Sequence, residues 1–326
     1  MRITIPLRGS DYESAYSSYE LFISDIAKFS NNSKLITLID IKMISDKNEK
    51  PVIKNIKFNI LEGNINENSE PEIIQMYTKK HSFFNSEWIN EYLIIDLTIK
   101  DEASLGEYTN YFVDDILTRL SLLVNLTYST NIDFLPGLIY SNENEYIGRT
   151  KIVVCSDMYA YEHSERIKWP LIRNIKLIET INWFHKYEVH PNQMSVNKAH
   201  KAINAFSQLI GDIKFNNTSD LFWVMLGIES LLAEGNQGIT KQIKDKSILI
   251  LGEPKEYKKK LQKLYDYRSR LVHGDIDIFP SYYSDFDSFD KEYNDYLDFA
   301  ISILIALIRE LIFKQADEFI FELKLK

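Results

Sequence analysis

Residues 264–274 have the sequence LYDYRSRLVHG, and this stretch decides how the C-terminal half is interpreted. On a helical wheel at about 100° per residue, the apolar side chains here and just before form one stripe: Tyr257, Leu261, Leu264, Tyr265, Leu271 and Val272. Arg268 falls at the centre of that stripe. Gly274 can take the left-handed position that ends the helix. A buried guanidinium is costly unless it is paired or lies in a polar cleft, so Arg268 needs an explanation.

Two explanations for Arg268 stay open at this level. An earlier predicted helix, at 219–234, carries Glu229 beside its own apolar stripe, and Glu229 can pair with Arg268 where the two helices pack. Alternatively, part of the stripe faces a symmetric partner, and Arg268 lines the cleft between two copies. The first explanation makes Arg268 structural and the second makes it functional.

His273 favours the functional explanation. It follows Arg268 by five residues, about 140° around the helix, and both side chains can still reach one phosphate. Arginine is suited to gripping a phosphate, and histidine to transferring a proton near neutral pH. RNA supplies its own nucleophile, the 2′-hydroxyl, so cleavage needs a base, an acid and positive charge but no metal ion. A two-fold dimer would bring two Arg–His sets together.

The charge distribution adds a candidate RNA-binding strip. The chain as a whole carries a formal charge of −9, so attraction to nucleic acid requires a local basic patch. Residues 241–270 contain ten Lys or Arg and four Asp or Glu, which gives a local charge of +6. Lys259, Lys263 and Arg270 cluster on the face opposite the stripe, either as RNA contacts or as a solvated helix face.

The residues LGIESLL at 226–232, followed by LYDYRSRLVHG at 264–274, resemble the HEPN superfamily. The branch that they are most like is the ApeA-like one, found in prokaryotic defence proteins, and the resemblance covers roughly residues 195–316. It implies a helical bundle, pairing of two domains and metal-independent endoribonuclease activity, in an anti-phage or toxin setting. By that resemblance Arg268 and His273 are the catalytic pair.

One residue departs from the pattern of the active members. The position after the arginine is often Asn, Asp or His, and here it is Ser269, which can donate a hydrogen bond but cannot shuttle protons at neutral pH. In the resulting hypothesis Ser269, Asp266 and Glu229 orient or pair with the catalytic groups, and cleavage leaves a cyclic phosphate end. The alternative is a non-catalytic HEPN-like module for nucleic-acid binding, dimerisation or another interaction, with Arg268 and Glu229 as a structural pair.

The predicted organisation is an α+β domain at residues 1–190 followed by an all-α HEPN-like domain at 191–326. The N-terminal pattern predicts helices at 12–30 and 107–126, and strands at 35–43, 52–60, 92–99 and 151–155. The segment Glu162–Glu165 is predicted as a polar loop. Beyond it, the pattern predicts helices at 171–186, 195–211, 219–234, 239–251, 255–273 and 292–316, with an acidic loop at 275–290. The N-terminal domain would sense a trigger or bind a partner such as an antitoxin.

Several chemistries lack their sequence signatures. One cysteine, Cys155, excludes an intrachain disulfide and Cys-rich zinc motifs. The chain has no P-loop, no Gly-x-Gly-x-x-Gly and no His-Glu-x-x-His, so neither a cofactor nor a metal is expected. No signal peptide is recognised at the start. The apolar run 299–308 is too short for a membrane span, so we expect a cytoplasmic chain with no membrane partner.

Overall fold

The chain forms two compact units in a computed structural model. The structure describes residues 1–9, 13–40, 53–62, 91–100, 108–129, 132–155, 159–189, 193–211, 219–235, 237–254, 258–276 and 291–321. One unit comprises Met1–Val124 with Thr130–Val154, and the other Asn125–Ser129 with Cys155–Lys326. The division therefore lies at residue 155 and differs from the predicted boundary at residue 190. The reason is that the helices between these positions pack against the last long helix of the chain.

The first unit is built on an antiparallel sheet. Its strands are β1 (Arg2–Gly9), β2 (Ile53–Glu62), β3 (Glu91–Ile99), β4 (Ile132–Phe134), β5 (Leu138–Tyr140) and β6 (Tyr146–Arg149). The strand order is β2-β3-β1-β5-β6, and β4 also pairs with β1. Alternate residues of β1 (Ile3, Ile5 and Leu7) are fully buried, as expected for a strand with one face on the core. The predictions at 52–60 and 92–99 are confirmed as β2 and β3.

Three helices accompany this sheet: α1 (Glu13–Ile26), α2 (Ser33–Ile39) and α3 (Thr109–Thr127). A 3₁₀ turn, Ala27–Phe29, follows α1. The predicted strand at 35–43 is wrong over its first part, where α2 lies, and residues 41–43 lie outside the described residues. Asn32 starts α2 because its side chain accepts hydrogen bonds from the backbone N–H groups of Lys34 and Leu35, at 3.1 and 3.0 Å.

The second unit is helical. Its helices are α4 (Ala160–Ile167), α5 (Leu177–Lys186), α6 (Lys198–Phe206), α7 (Ser219–Leu232), α8 (Ile239–Leu251), α9 (Lys258–His273) and α10 (Lys291–Lys314). A 3₁₀ turn, Ser207–Leu209, follows α6. Helix α10 contacts α4, α5, α6, α7 and α8. It is buried on every side from Phe299 to Ile308, which explains why its apolar residues show no single stripe.

In this unit the predicted helices match the observed ones more closely than the predicted loops and strand match theirs. Helix α8 has the predicted bounds, and α6, α7, α9 and α10 lie within or next to theirs. The predicted loop at Glu162–Glu165 is wrong, because these residues belong to α4. The strand predicted at 151–155 is shorter, β7 (Val154–Cys155), and it pairs with β8 (Ile210–Gly211), so the C-terminal half is not entirely helical. Most of the predicted acidic loop, residues 277–290, lies outside the described residues.

The coarse prediction of an α+β unit followed by a largely helical unit is confirmed. Its assignment to the HEPN fold stays a prediction. Within the described residues, no helix combines the length and the apolar character that crossing a membrane requires.

Candidate functional site

The Arg268-to-His273 motif occupies the last turns of α9. Gly274 ends the helix with a φ of +79°, the left-handed conformation that glycine adopts without strain. The backbone N–H of Asp275 donates to the carbonyl of Arg270 at 2.8 Å, and that of Gly274 donates to Leu271 at 3.3 Å. These two bonds form a Schellman cap. His273 is consequently the last helical residue, and it is exposed.

Arg268 contacts Glu229 where α9 packs against α7. Arg268 Nη2 lies 3.5 Å from Glu229 Oε1, and the two side chains are 29% and 20% exposed. The Nε atom of Arg268 is buried and has no hydrogen-bond partner among the described residues. The predicted Arg268–Glu229 contact is therefore present. It leaves part of the guanidinium accessible and part of its donor capacity unused.

Tyr265 lies next to Arg268 and Glu229. The sequence reasoning counted it only as part of an apolar stripe and so missed its hydroxyl group. Its hydroxyl is buried and has no hydrogen-bond partner among the described residues. Burial, reinforced by the charge of Glu229, raises the pKa of Tyr265 well above its ordinary value, while Arg268 opposes the shift. Two buried polar atoms without partners, the Tyr265 hydroxyl and Arg268 Nε, thus lie beside one ion pair. Such atoms are uncommon in folded proteins and mark places where a further group can bind.

The apolar stripe of α9 is confirmed only in its first part. Leu261, Leu264 and Tyr265 are buried, whereas Val272 is 50% exposed and Leu271 is half-buried. Tyr257 lies outside the described residues. The stripe therefore leaves the core of the unit near Arg268, and Val272 is available to another surface.

Helix α7 presents apolar side chains on the same face as Glu229. Phe222 and Leu226 are each 41% exposed, and they precede Glu229 by seven and three residues, a spacing that places all three on one side of the helix. Leu226 is one turn before Glu229, as Val272 is one turn after Arg268. The ion pair is thus accompanied by exposed apolar residues on both helices.

The other predicted supporting residues do not gather around Arg268. Ser269 and His273 are exposed, and within the described part of the chain neither forms a hydrogen bond or an ion pair with Arg268. Asp266 lies on the side of α9 that faces α10. Burial and the carboxylates of Glu292, Asp295 and Asp266 raise the pKa of Tyr296, and Arg270 lowers it. Among the supporting residues, only Glu229 contacts Arg268.

Two of the three predicted RNA-binding residues, Lys259 and Lys263, line a surface pocket of about 460 Å³. Its other lining residues come from α4, α9 and α10: Arg166, Ile167, Lys260, Asp295 and Tyr296. Arg270 is exposed and is not part of this lining. The sequence reasoning missed Arg166, Lys260 and Asp295, because only the packing of three separate helices brings them to one place.

His163 lies at the inner side of this pocket, on the helix that replaces the predicted loop. The side chain is 1% exposed, and Nε2 lies 3.1 Å from Asp295 Oδ1 and 2.9 Å from Lys260 Nζ. Burial, reinforced by the charge of Lys260, lowers the pKa of His163 to about 4. The sequence contained a signal for this helix, since Ala160, His163, Ser164 and Ile167 have helical spacing and are all buried.

A metal centre is not found in the part of the chain that the structure describes. No group of three or more His, Cys, Asp or Glu side chains there is arranged to hold a metal ion. Cys155 is buried.

The comparisons with known proteins found no match. No family model matches the chain, and neither a curated protein nor a solved structure does so. The likeness to the HEPN superfamily therefore rests on the residues of its two motifs alone.

Proposed function

We propose that this chain is a metal-independent endoribonuclease whose Arg268 and His273 cut RNA in the cleft of a homodimer. The observation that carries the proposal is the environment of Arg268. Its side chain is 29% exposed and its ion pair with Glu229 spans 3.5 Å. A guanidinium held this loosely can exchange a carboxylate for an RNA phosphate, which it binds in a bidentate fashion. The resemblance of residues 226–232 and 264–274 to the HEPN superfamily supports the same function.

The proposed reaction is a transesterification within the RNA. A His273 imidazole takes the proton of the 2′-hydroxyl, whose oxygen forms a bond to the adjacent phosphorus while the bond to the 5′-oxygen breaks. A second imidazole gives a proton to the leaving 5′-oxygen. Arg268 stabilises the negative charge that develops on the phosphorane, and the exposed Ser269 hydroxyl can donate a further hydrogen bond. The products are a 2′,3′-cyclic phosphate and a 5′-hydroxyl.

A homodimer would supply the second imidazole and cover the exposed apolar residues. Each chain has one His273, so base and acid come from different protomers. Leu226 on α7 and Val272 on α9 are exposed one turn from the Arg268–Glu229 pair, and Phe222 is exposed one turn further along α7; apolar side chains of this kind favour a protein interface. The acid and the base would then meet only in the dimer.

The partners in this proposal are RNA, a second copy of the chain and a trigger. Lys259, Lys263 and Arg270 would contact the RNA backbone along α9, which compensates locally for the charge of −9. The sheet-containing unit would receive the trigger or an antitoxin. A role in prokaryotic anti-phage defence or in a toxin system follows from the HEPN resemblance.

The test is cleavage of total cellular RNA in EDTA by the wild type, Arg268→Ala and His273→Ala. EDTA silences contaminating metal-dependent nucleases. Arg149→Ala is the matched control, since it removes an exposed arginine of β6 that has no part in the proposed site. We expect cleavage by the wild type and the control and a loss of about 100-fold or more in each motif variant. Circular dichroism and sedimentation must show that both variants are folded and dimeric.

A second measurement tests the chemistry. An oligonucleotide with a single 2′-deoxy residue at the mapped cleavage position should resist cleavage there, and the product of the unmodified RNA should carry a cyclic phosphate end. Equal activity of all four proteins would contradict the proposal, and so would a wild type without activity on any RNA.

The Arg268–Glu229 contact favours a second candidate, a non-catalytic module for binding or dimerisation. In it the pair serves to join α7 and α9. This candidate predicts that Arg268→Ala lowers stability and leaves RNA intact in every sample. It also predicts that Glu229→Gln and Arg268→Ala have the same phenotype, whereas in the nuclease Glu229→Gln keeps the catalytic guanidinium.

A further inference from the structure

The pocket between α4, α9 and α10 concentrates positive charge in an acidic chain. Four of its lining residues are cations (Arg166, Lys259, Lys260 and Lys263) and one is a carboxylate, Asp295. The lining therefore carries a formal charge of +3, from four positive charges and one negative. Like charges held together repel one another, so the lining has a surplus of positive charge that a bound anion can balance.

The one carboxylate of the lining, Asp295, already forms an ion pair with Lys260. Asp295 Oδ2 lies 2.7 Å from Lys260 Nζ, and the Lys260 side chain is only 13% exposed. The other carboxylate oxygen, Oδ1, lies 3.1 Å from His163 Nε2 and 3.9 Å from Arg166 Nη2. Burial lowers the pKa of Lys260, and the hydrogen bond and charge of Asp295 oppose that shift. Lys260 is thus held within a fixed set of contacts.

The outer cations are free to meet a ligand. Lys259 and Lys263 are exposed, and within the described residues neither has a carboxylate partner. The two lysines are four residues apart on α9 and therefore lie on the same side of the helix. Arg166, on α4, is also exposed. Its Nη2 atom lies 3.9 Å from Asp295 Oδ1, which is a long distance for an ion pair. Three exposed cations thus lie around one that is partly buried and paired.

We propose that this pocket is a binding site for a phosphate ester. A phosphate monoester carries up to two negative charges and several acceptor oxygens, which match the surplus charge and the lysine and arginine donors of the lining. The volume of about 460 Å³ exceeds what one phosphate group fills, and it falls in the range of ligand pockets. Ile167 and Tyr296 supply apolar surface for the body that the phosphate is attached to.

The site is distinct from the Arg268 cluster. Lys260 precedes Arg268 by eight residues, which corresponds to about 12 Å along α9 and about 80° around it. The phosphate ester can be a free nucleotide-sized molecule or a nucleotide within RNA. Only the second source rests on the proposed ribonuclease function.

The experiment compares binding to the full chain at low ionic strength by calorimetry. The probes are adenosine 5′-monophosphate, adenosine as its phosphate-free match, and a 12-nucleotide single-stranded RNA. The pocket variant is Lys259→Gln with Lys263→Gln. The control variant is Lys201→Gln with Lys241→Gln, which removes the same charge from exposed lysines outside the pocket.

Binding of the monophosphate but not of adenosine, weakened about tenfold or more in the pocket variant and unchanged in the control, supports a small phosphorylated ligand. Binding of the RNA alone, with the same difference between the variants, supports RNA as the source of the phosphate. Absence of binding by all three probes overturns the proposal, as does an equal effect of the two variants. Because the readout is binding, a failure here is separate from a failure of the cleavage test with Arg268→Ala.

Discussion

Arg268 on α9 and Glu229 on α7 lie 3.5 Å apart, from Nη2 to Oε1, and each side chain keeps contact with solvent. Solvent screens a pair of this kind, and partly exposed ion pairs contribute about 1 kcal/mol or less to stability. A pair closed inside a core behaves differently, because removing one partner then costs roughly 3–5 kcal/mol. The energetic coupling of these two residues therefore separates the catalytic from the structural role.

The first prediction concerns that coupling. We expect Arg268→Gln, Glu229→Gln and the double variant to form a cycle with a coupling energy below about 1 kcal/mol. The measurement is the free energy of unfolding of each protein from urea titration. A coupling of about 3 kcal/mol or more would indicate that the pair has a structural role and would favour the non-catalytic module. A small coupling would show that the pair contributes little to stability, as the catalytic role of Arg268 requires.

The second prediction concerns Arg309, which α10 carries into the centre of the second unit with no exposure to solvent. Its guanidinium donates to the carbonyls of Leu126 and Arg173 at 2.8 and 3.1 Å, and to the hydroxyl of Tyr161 at 2.7 Å. We expect Arg309→Ala to lower the free energy of unfolding by about 3–5 kcal/mol, because it removes a fully buried side chain together with these hydrogen bonds and leaves a cavity in the unit.

The control for Arg309 is Lys291→Ala, at the exposed start of the same helix. It should change stability by about 0.5 kcal/mol or less. Thermal unfolding with equal midpoints for the two variants would show that the hydrogen bonds of Arg309 do not stabilise the unit.

Much of the helical unit follows from periodicity, since α8 has the predicted bounds and α9 ends at the predicted glycine, Gly274. The strand predicted at 35–43 failed because four apolar residues within five positions suit one turn of helix as well as a short strand. The N-cap at Asn32 was the feature that distinguished them. Local pattern thus fixed long elements and left short ones ambiguous.

The candidate site was likewise predictable from the sequence only in part. A helical wheel gave the contact of Arg268 with Glu229 as one of two explanations, because each residue lies at a defined place on one helix, and the contact is present. The pocket around Lys260 was not predictable, since Arg166, Lys260 and Asp295 come from three helices whose packing no local pattern contains. His163 was predicted to lie in a polar loop, but it is buried, and burial lowers its pKa to about 4, so that it is uncharged at neutral pH.

The third prediction concerns Gly227, inside the LGIESLL motif of α7. A Cβ atom built there would lie 2.9 Å from Leu304 Cδ1 and 3.4 Å from Ala205 Cβ, so the glycine permits close packing of α7 with α10 and α6. Leu304 is fully buried and has little room to move. We expect Gly227→Val to lower the free energy of unfolding by about 2–3 kcal/mol through overpacking.

Leu226→Val is the matched control, because it places the same side chain one position earlier, where the residue is 41% exposed. It should cost about 1 kcal/mol or less, mainly through helix propensity. If urea titration gave the two variants the same stability, the close approach of Leu304 to Gly227 would not be what requires a glycine there.

The fourth prediction concerns Asp298, which lies on α10 near the basic pocket. Burial, reinforced by the charge of Asp295, raises the pKa of this carboxyl to about 7 from an ordinary 3.8, against the opposing effect of Arg166. Between these two pH values the folded state keeps a proton that the unfolded state has lost, so the contribution of Asp298 to stability falls as the pH rises from about 4 to 7. His163 acts in the opposite direction, because its pKa is lowered to about 4 and its contribution rises from about pH 4 to 6.5.

The two effects oppose each other in the wild type between about pH 4 and 6.5, and Asp298→Asn should separate them. The variant lacks the carboxylate, so its free energy of unfolding should exceed that of the wild type by about 1–3 kcal/mol at pH 8 and match it within about 0.5 kcal/mol at pH 4. Glu165→Gln, which removes an exposed carboxyl of α4, is the control for the change of net charge. Urea titrations at half-unit steps from pH 4 to 8 give the profile. A difference between Asp298→Asn and the wild type that does not grow with pH would contradict the burial of a carboxyl at this position, because a solvated Asp298 would already be ionised at pH 5 in both states.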